Sequence, residues 1–252
     1  MPHISYSELK DWVFCAWFHK LTKIDKVNSF KGNEYTAFGN AIHSVCESKL
    51  LEQKTEPEQL FLTEFQKVLT SIPDFTPNDK MVDEMKEQGL KIIPEIEPAL
   101  KEYFKDYKVL NAEEDLMVEI EGTEYNFKGF IDGIIQTSDG KIHIFDWKTC
   151  SWGWDAKKKN DKIVNYQLIL YKHFYCIKHN INPKQVETHF ALLKRTAKKQ
   201  RVEFFRITSG PVKITNALKI LNTALYNIKN KRYIKNRTSC STCMFRDTEH
   251  CS

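Results

Sequence analysis

The chain has 252 residues, with 38 lysines and arginines against 33 aspartates and glutamates, a formal charge of +5, and 41% hydrophobic residues. Such a balance belongs to a folded globular protein and excludes disordered, collagen-like and fibrous classes. No apolar run approaches the roughly 18 residues of a membrane-spanning helix. The opening Met1-Pro2-His3-Ile4-Ser5 lacks the basic and apolar regions of a secretory signal, so a cytoplasmic location and no membrane partner are expected.

In chain order, Ser5 and Glu8 have capping-box spacing before Trp12, Val13, Trp17 and Leu21, which predicts a first helix. A second spans about Tyr35 to Glu52, with Phe38, Ile42 and Val45 on its inner face. Residues 57–108 are acidic and mostly helical in pattern, punctuated by Pro73, Pro77, Pro94 and Pro98. Short β-type runs follow at Leu116–Glu121, Tyr125–Gln136 and Lys141–Trp147, the last two joined by the turn Ser138-Asp139-Gly140. Ile163–His179 returns to helical spacing. Val186–Lys194 and Val202–Ile207 read as strands around the basic turn Arg195–Arg201, and a helix from about Val212 to Asn230 precedes a cysteine-bearing tail. The expected fold is α/β, a mixed sheet flanked by helices. A single domain is expected, with a mainly helical part over 1–110, a sheet core over 111–210, and a helix and tail over 211–252.

Charge is distributed unevenly. Residues 1–147 hold 27 acidic and 16 basic side chains, a net of −11, whereas residues 148–237 hold 4 and 21, a net of +17. A polyanion partner on the surface built by the second half fits this asymmetry, and so does a lysine-rich solvated surface.

The hairpin carries the sharpest chemical pattern. Asp132 lies in Gly129-Phe130-Ile131-Asp132-Gly133, and the next strand ends in Asp146-Trp147-Lys148-Thr149. Adjacent antiparallel strands can set Asp132 and Asp146 side by side, and strand parity sends Lys148 to the same face as Asp146. Two convergent carboxylates make a hard oxygen site suited to Mg²⁺ or Mn²⁺, and a neighbouring ammonium can neutralise phosphate charge or handle the attacking water. An isolated Asp-x-Lys at a sheet edge is also common on inert surfaces. Upstream, Gly39-x3-His43-x3-Glu47 places His43 and Glu47 one helical turn apart, with Gly39 expected to allow close approach. Downstream, Gln167-x3-Tyr171 places two polar tips on one helix face.

The succession Gly39…His43, Gly129-x2-Asp132, Asp146-Trp147-Lys148 and Gln167-x3-Tyr171 resembles the RecB-type branch of the PD-(D/E)XK nuclease superfamily, including its CRISPR-associated and recombination exonucleases. The likeness runs from Ser5-x-Ser7-x-Leu9 to the cysteine tail. It implies a restriction-endonuclease-like core in which His43, Asp132, Asp146 and the Trp147 carbonyl bind a catalytic Mg²⁺ or Mn²⁺. Lys148 would be the catalytic lysine, and Gln167 and Tyr171 would position the scissile strand or orient the metal site. Glu47 is not counted as a ligand. The implied activity is a deoxyribonuclease, exonuclease ahead of endonuclease, acting in DNA repair, recombination or phage DNA processing within a bacterial cell or phage-infected host.

Cys240-x2-Cys243-x7-Cys251 supplies three clustered thiols, one short of a closed four-coordinate site for zinc or an iron–sulfur cluster. His250 or the remote Cys15 could complete the set. The same branch has iron–sulfur members with one cysteine near the N-terminus and three near the C-terminus. That resemblance implies a [4Fe–4S] cluster on Cys15, Cys240, Cys243 and Cys251, with zinc as the alternative. Cys46, Cys150 and Cys176 read as packed thiols.

In the basic half, Lys157, Lys158, Lys159, Lys198, Lys199 and Arg201 can hold a phosphate backbone. Trp152 and Trp154 can stack on unpaired bases or serve as hydrophobic anchors. DNA, single-stranded or with free ends, is the expected partner. Two other readings remain: a catalytically inactive DNA-binding protein of the same fold, and a zinc-stabilised adaptor.

Overall fold

The computed structural model describes residues 1–27 and 30–251. Among the described residues six strands form one mixed sheet in the order β1-β3-β4-β5-β6, with β2 also paired to β3. They are β1 (His3–Ser5), β2 (Tyr107–Glu119), β3 (Asn126–Thr137), β4 (Ile142–Cys150), β5 (Val186–Lys194) and β6 (Val202–Ile207). The helices are α1 (Tyr6–Phe14), α2 (Ala16–His19), α3 (Glu34–Leu50), α4 (Pro57–Ser71), α5 (Asp79–Phe104), α6 (Ala156–Lys159), α7 (Lys162–His179) and α8 (Pro211–Lys229), with a π-helical turn at Lys20–Ile24. The expected α/β class, with a central mixed sheet and flanking helices, is the observed one. Among the described residues no helix is long and apolar enough to cross a membrane.

The chain divides into two compact units. One comprises residues 1–30, 117–129 and 210–252, and the other residues 31–116 and 130–209. In the first unit, Ser5 caps α1 by accepting the Glu8 N–H at 3.2 Å. The Glu8 side chain does not return to the cap but pairs with the buried His19 at 2.9 Å. The first helix also ends sooner than its apolar spacing predicts. Cys15 is extended (φ −166°, ψ 122°) and separates α1 from α2.

In the second unit β4 and β5 run parallel across the α7 crossover, as a βαβ connection requires. On one face of β4, Phe145 and Trp147 join a core with Phe38, Phe61, Phe65, Ile92, Ile96, Phe104 and Phe204, drawn from α3, α4, α5 and β6. α7 covers the other face, where Gln167 meets Asp146. Two glycines are required by packing. A Cβ at Gly89 of α5 would lie 2.2 Å from the Phe61 ring, and one at Gly133 would lie 2.2 Å from the Phe145 ring.

Two expectations are corrected. Pro94 and Pro98 lie inside α5 and do not end it. Both sit on its exposed side, so the carbonyls that lose an N–H partner face water, and the solvent-convex curvature of a long helix accommodates the rings. Strand β2 begins at Tyr107, well before the expected Leu116. Its inward positions change parity between Asn111 and Ala112, and Glu113 has φ +52°. A one-residue irregularity of this kind breaks the period-two pattern by which a strand is read.

Gly133→Ala should destabilise the protein by about 1–3 kcal/mol, because the Phe145 ring cannot yield without disturbing Trp147 and Phe104. A urea unfolding midpoint indistinguishable from that of the unsubstituted protein would contradict this.

Candidate active site

The β3–β4 register sets the centre. One step beyond the Gly133↔Phe145 pair, Asp132 and Asp146 stand on neighbouring strands, on the face away from Phe145. Asp146 is 2% exposed. Its Oδ1 accepts from Gln167 Nε2 at 2.6 Å, and the same amide nitrogen lies 3.3 Å from the Tyr171 hydroxyl. Its Oδ2 lies 2.6 Å from Lys148 Nζ, an ion pair without hydrogen-bond alignment. Asp132 Oδ2 accepts the Trp147 backbone N–H at 2.7 Å and lies 3.6 Å from His43 Nδ1. His43 reaches the centre from α3, whose start is fixed by a capping box between Asn33 and Thr36. Gly39 is not what admits this helix, since a Cβ there would rest at an ordinary 3.8 Å from Thr149 Oγ1.

Electrostatics favour positive charge at the centre. Burial, and then the charge of Asp146, push the Asp132 carboxyl well above the usual carboxylate range, against the pull of Lys148 and the Trp147 N–H. Two carboxylates in a low-dielectric setting cannot both ionise without a compensating positive charge. Burial lowers the pKa of His43, partly offset by Asp146, which favours the neutral imidazole that ligates metals. Tyr171 is pushed up by burial and by Asp146, so its hydroxyl stays protonated.

Sequence reasoning missed one residue. The ligand atoms of His43, Glu113 and Asp132 all lie within 4.8 Å of one another. Burial raises the Glu113 carboxyl, and the charges of Glu47 and Asp146 raise it further. Glu113 is exposed and lies before the expected start of the strand at Leu116, and its φ +52° backbone was not readable from the residues. This triad differs from the expected set of His43, Asp132 and Asp146 in holding Glu113 in place of Asp146, whose oxygens meet Gln167 and Lys148. The donors of both sets, one imidazole and several carboxylates, suit a divalent cation.

The expected DNA contacts separate into two groups. Trp152 is 76% exposed, and Lys157, Lys158, Lys198 and Lys199 are also exposed. Trp154 instead packs edge-on against Phe190 and Phe205, at 5.0 and 5.9 Å, with the Lys158 ammonium over its ring, so the anchor reading holds for it. Arg201 is held by Glu95 and Lys159 by Glu203, so these two cations are already neutralised within the fold.

In the other unit, Cys15, Cys240, Cys243 and Cys251 all line one cavity of about 430 Å³, together with Lys235, Arg237 and Arg246. The Asn236 N–H donates to Cys15 Sγ at 3.2 Å. These cysteines are in neither of the two groups of described residues whose ligand atoms converge within 4.8 Å. A single zinc, with Zn–S of about 2.3 Å, would hold its sulfurs about 3.8 Å apart. His250 does not line the cavity; its imidazole lies 3.6 Å from Glu249. Cys46, Cys150 and Cys176 have thiols raised by burial, Cys176 to about 11, as expected of packed residues.

A family model for the PD-(D/E)XK nuclease superfamily matches residues 3–248. The chain belongs to that superfamily. It is therefore a nuclease of a class that uses divalent metals, and the acidic and histidine cluster supplies candidate ligands. No curated protein matches it. Among solved structures it is similar to a protein of Eubacterium rectale with a provisional assignment as an exonuclease, at 14% identity and TM-score 0.62, covering 96% of this chain and 86% of that one. Two further likenesses are SSO0001, at 15% identity, TM-score 0.38 and coverage of 82% and 92%, and LHK-Exo in complex with dAMP, at 13% identity, TM-score 0.32 and coverage of 79% and 94%.

Gln167 fixes one Asp146 oxygen and the Tyr171 hydroxyl together. If Asp146 is a metal ligand, Gln167→Leu should lower the cleavage rate by roughly 10–100-fold, the usual cost of removing a ligand's orienting partner. Initial rates at saturating metal, beside an unchanged Tm, would check it.

Proposed function

We propose that this nuclease hydrolyses DNA phosphodiester bonds at strand ends, using Mg²⁺ or Mn²⁺ held by His43, Asp132, Asp146 and the Trp147 carbonyl, with Glu113 completing the acidic wall. The carrying observation is the pair of buried carboxylates, Asp132 and Asp146, with Lys148 Nζ 2.6 Å from Asp146. A bound divalent ion would polarise the phosphate and acidify a water ligand. Lys148 then holds positive charge where the attacking water and the phosphate oxygens meet, and Gln167 and Tyr171 keep Asp146 from turning away. Trp147 serves through its backbone, because its indole is buried in the core on the opposite face. Exposed Lys157, Lys158, Lys198 and Lys199 would track the phosphate backbone without reading sequence, and Trp152 would stack on an unpaired base. A role in repair, recombination or phage DNA processing is consistent with an activity confined to ends, and the nearest placement for it is the bacterial cytoplasm.

We further assign a [4Fe–4S] cluster to Cys15, Cys240, Cys243 and Cys251. Their shared cavity of about 430 Å³ gives room for a polynuclear group, and its three basic lining residues and the N–H···S bond to Cys15 suit an anionic thiolate site. The cluster would join helix α1 to the tail as a covalent staple within one unit.

Asp132→Asn and Lys148→Ala should each lower cleavage of linear DNA by on the order of 10²-fold or more, leaving DNA retention in a gel-shift assay within a few-fold. EDTA should abolish activity, and a covalently closed circle should stay intact. Cutting of the circle would replace the exonuclease reading with an endonuclease one, and undiminished cleavage by either variant would sink the assigned centre. Anaerobically purified protein should be brown with a broad band near 400 nm, lost in Cys243→Ser; a colourless protein carrying one zinc would refute the cluster.

A further inference from the structure

A second histidine–carboxylate group lies on the α5 face of the sheet. The parallel β4–β5 register puts His143 opposite Glu187, and His189 follows two residues on, along the same face. His143 Nδ1 and His189 Nε2 face each other at 3.0 Å, and both rings are buried. Their outer nitrogens are also engaged, His143 Nε2 by Thr137 Oγ1 at 3.0 Å and His189 Nδ1 by the Tyr103 hydroxyl at 3.2 Å. The ligand atoms of His143, Glu187 and His189 all lie within 4.8 Å of one another.

We propose that His143, His189 and Glu187 form a binding site for one transition-metal dication, zinc in the first instance, separate from the nuclease centre. Both hydroxyls can accept a hydrogen bond from the outer ring nitrogen. This is the partner that metal-bound histidines usually have, and it leaves the two inner lone pairs aimed at one point. Without a metal the inner nitrogens must share a single proton. With Zn–N of about 2.0–2.1 Å, tetrahedral ligation sets the nitrogens about 3.3–3.4 Å apart, a few tenths of an ångström wider than here. Phe104 lies against both rings, with centroids 5.2 Å from each, and excludes water from that side.

One further observation bears on the charge. Glu187 is ion-paired with Lys141 at 2.8 Å and Arg206 at 3.2 Å. Both cations are about half exposed, so they can turn to solvent and release a carboxylate oxygen. A metal here would clip β4 to β5 across the crossover that carries Gln167 and Tyr171.

The test is a zinc titration of chelator-stripped full-length protein, followed by elemental analysis, beside His189→Gln and Glu187→Gln. The unsubstituted protein should retain one more zinc per chain than His189→Gln and gain Tm on zinc addition. Glu187→Gln, altered at the partly exposed ligand, should fold and bind at least 10-fold more weakly. Co²⁺ substitution should give a species lost in both variants and lacking the thiolate charge-transfer band that metal on the cysteines would show. Equal zinc content and equal Tm gain in the unsubstituted protein and Glu187→Gln would overturn the proposal, as would cobalt bands of thiolate type only.

Discussion

Everything at the candidate centre depends on burying two carboxylates on adjacent strands. That arrangement is unfavourable by itself, since each charge raises the cost of the other in a setting with little water to screen them. The fold maintains it by fixing the opposite face of the same strands. Phe145 covers Gly133, the Trp147 indole is buried in the core, and the backbone between them has little freedom to shift register. A one-residue slip of β4 would turn Asp146 into the aromatic core and both aromatics out of it. The electrostatic strain on one face is therefore held by packing on the other, and a bound dication would relieve it.

How much of this was legible varies with the physics behind each element. The β3–β4 pair, β5, β6, α7 and α8 were readable because alternation, helical spacing and turn chemistry agree with one another there. From the same register came the juxtaposition of Asp132 and Asp146 and the shared face of Lys148. β2 was read too short because its parity changes at Asn111–Ala112, and the same irregularity hid Glu113. The prolines of α5 read as breaks because a sequence does not say which side of a helix will meet solvent. Arg201 and Lys159 looked available for phosphate because their partners, Glu95 and Glu203, are 106 and 44 residues away.

The histidines illustrate a related limit. His143 and His189 carry no motif and are 46 residues apart, yet the parallel register brings their inner nitrogens to 3.0 Å. Only strand pairing shows it. His43, by contrast, lies on a helix with local spacing to Glu47 and could be picked out directly. Helical neighbours are written along the chain, whereas sheet neighbours are set by crossovers.

The unit that contains the cysteine cavity is assembled from residues 1–30, 117–129 and 210–252. Its interactions join positions more than 200 residues apart, as between Asn236 and Cys15. During synthesis the segments of the catalytic unit have all left the ribosome once residue 209 has emerged, while the cysteine unit still waits for its third segment. Helix α1 therefore waits for its final partners until the third segment has emerged. Order of completion is thus imposed by topology: the nuclease fold can form first, and the cavity is finished last.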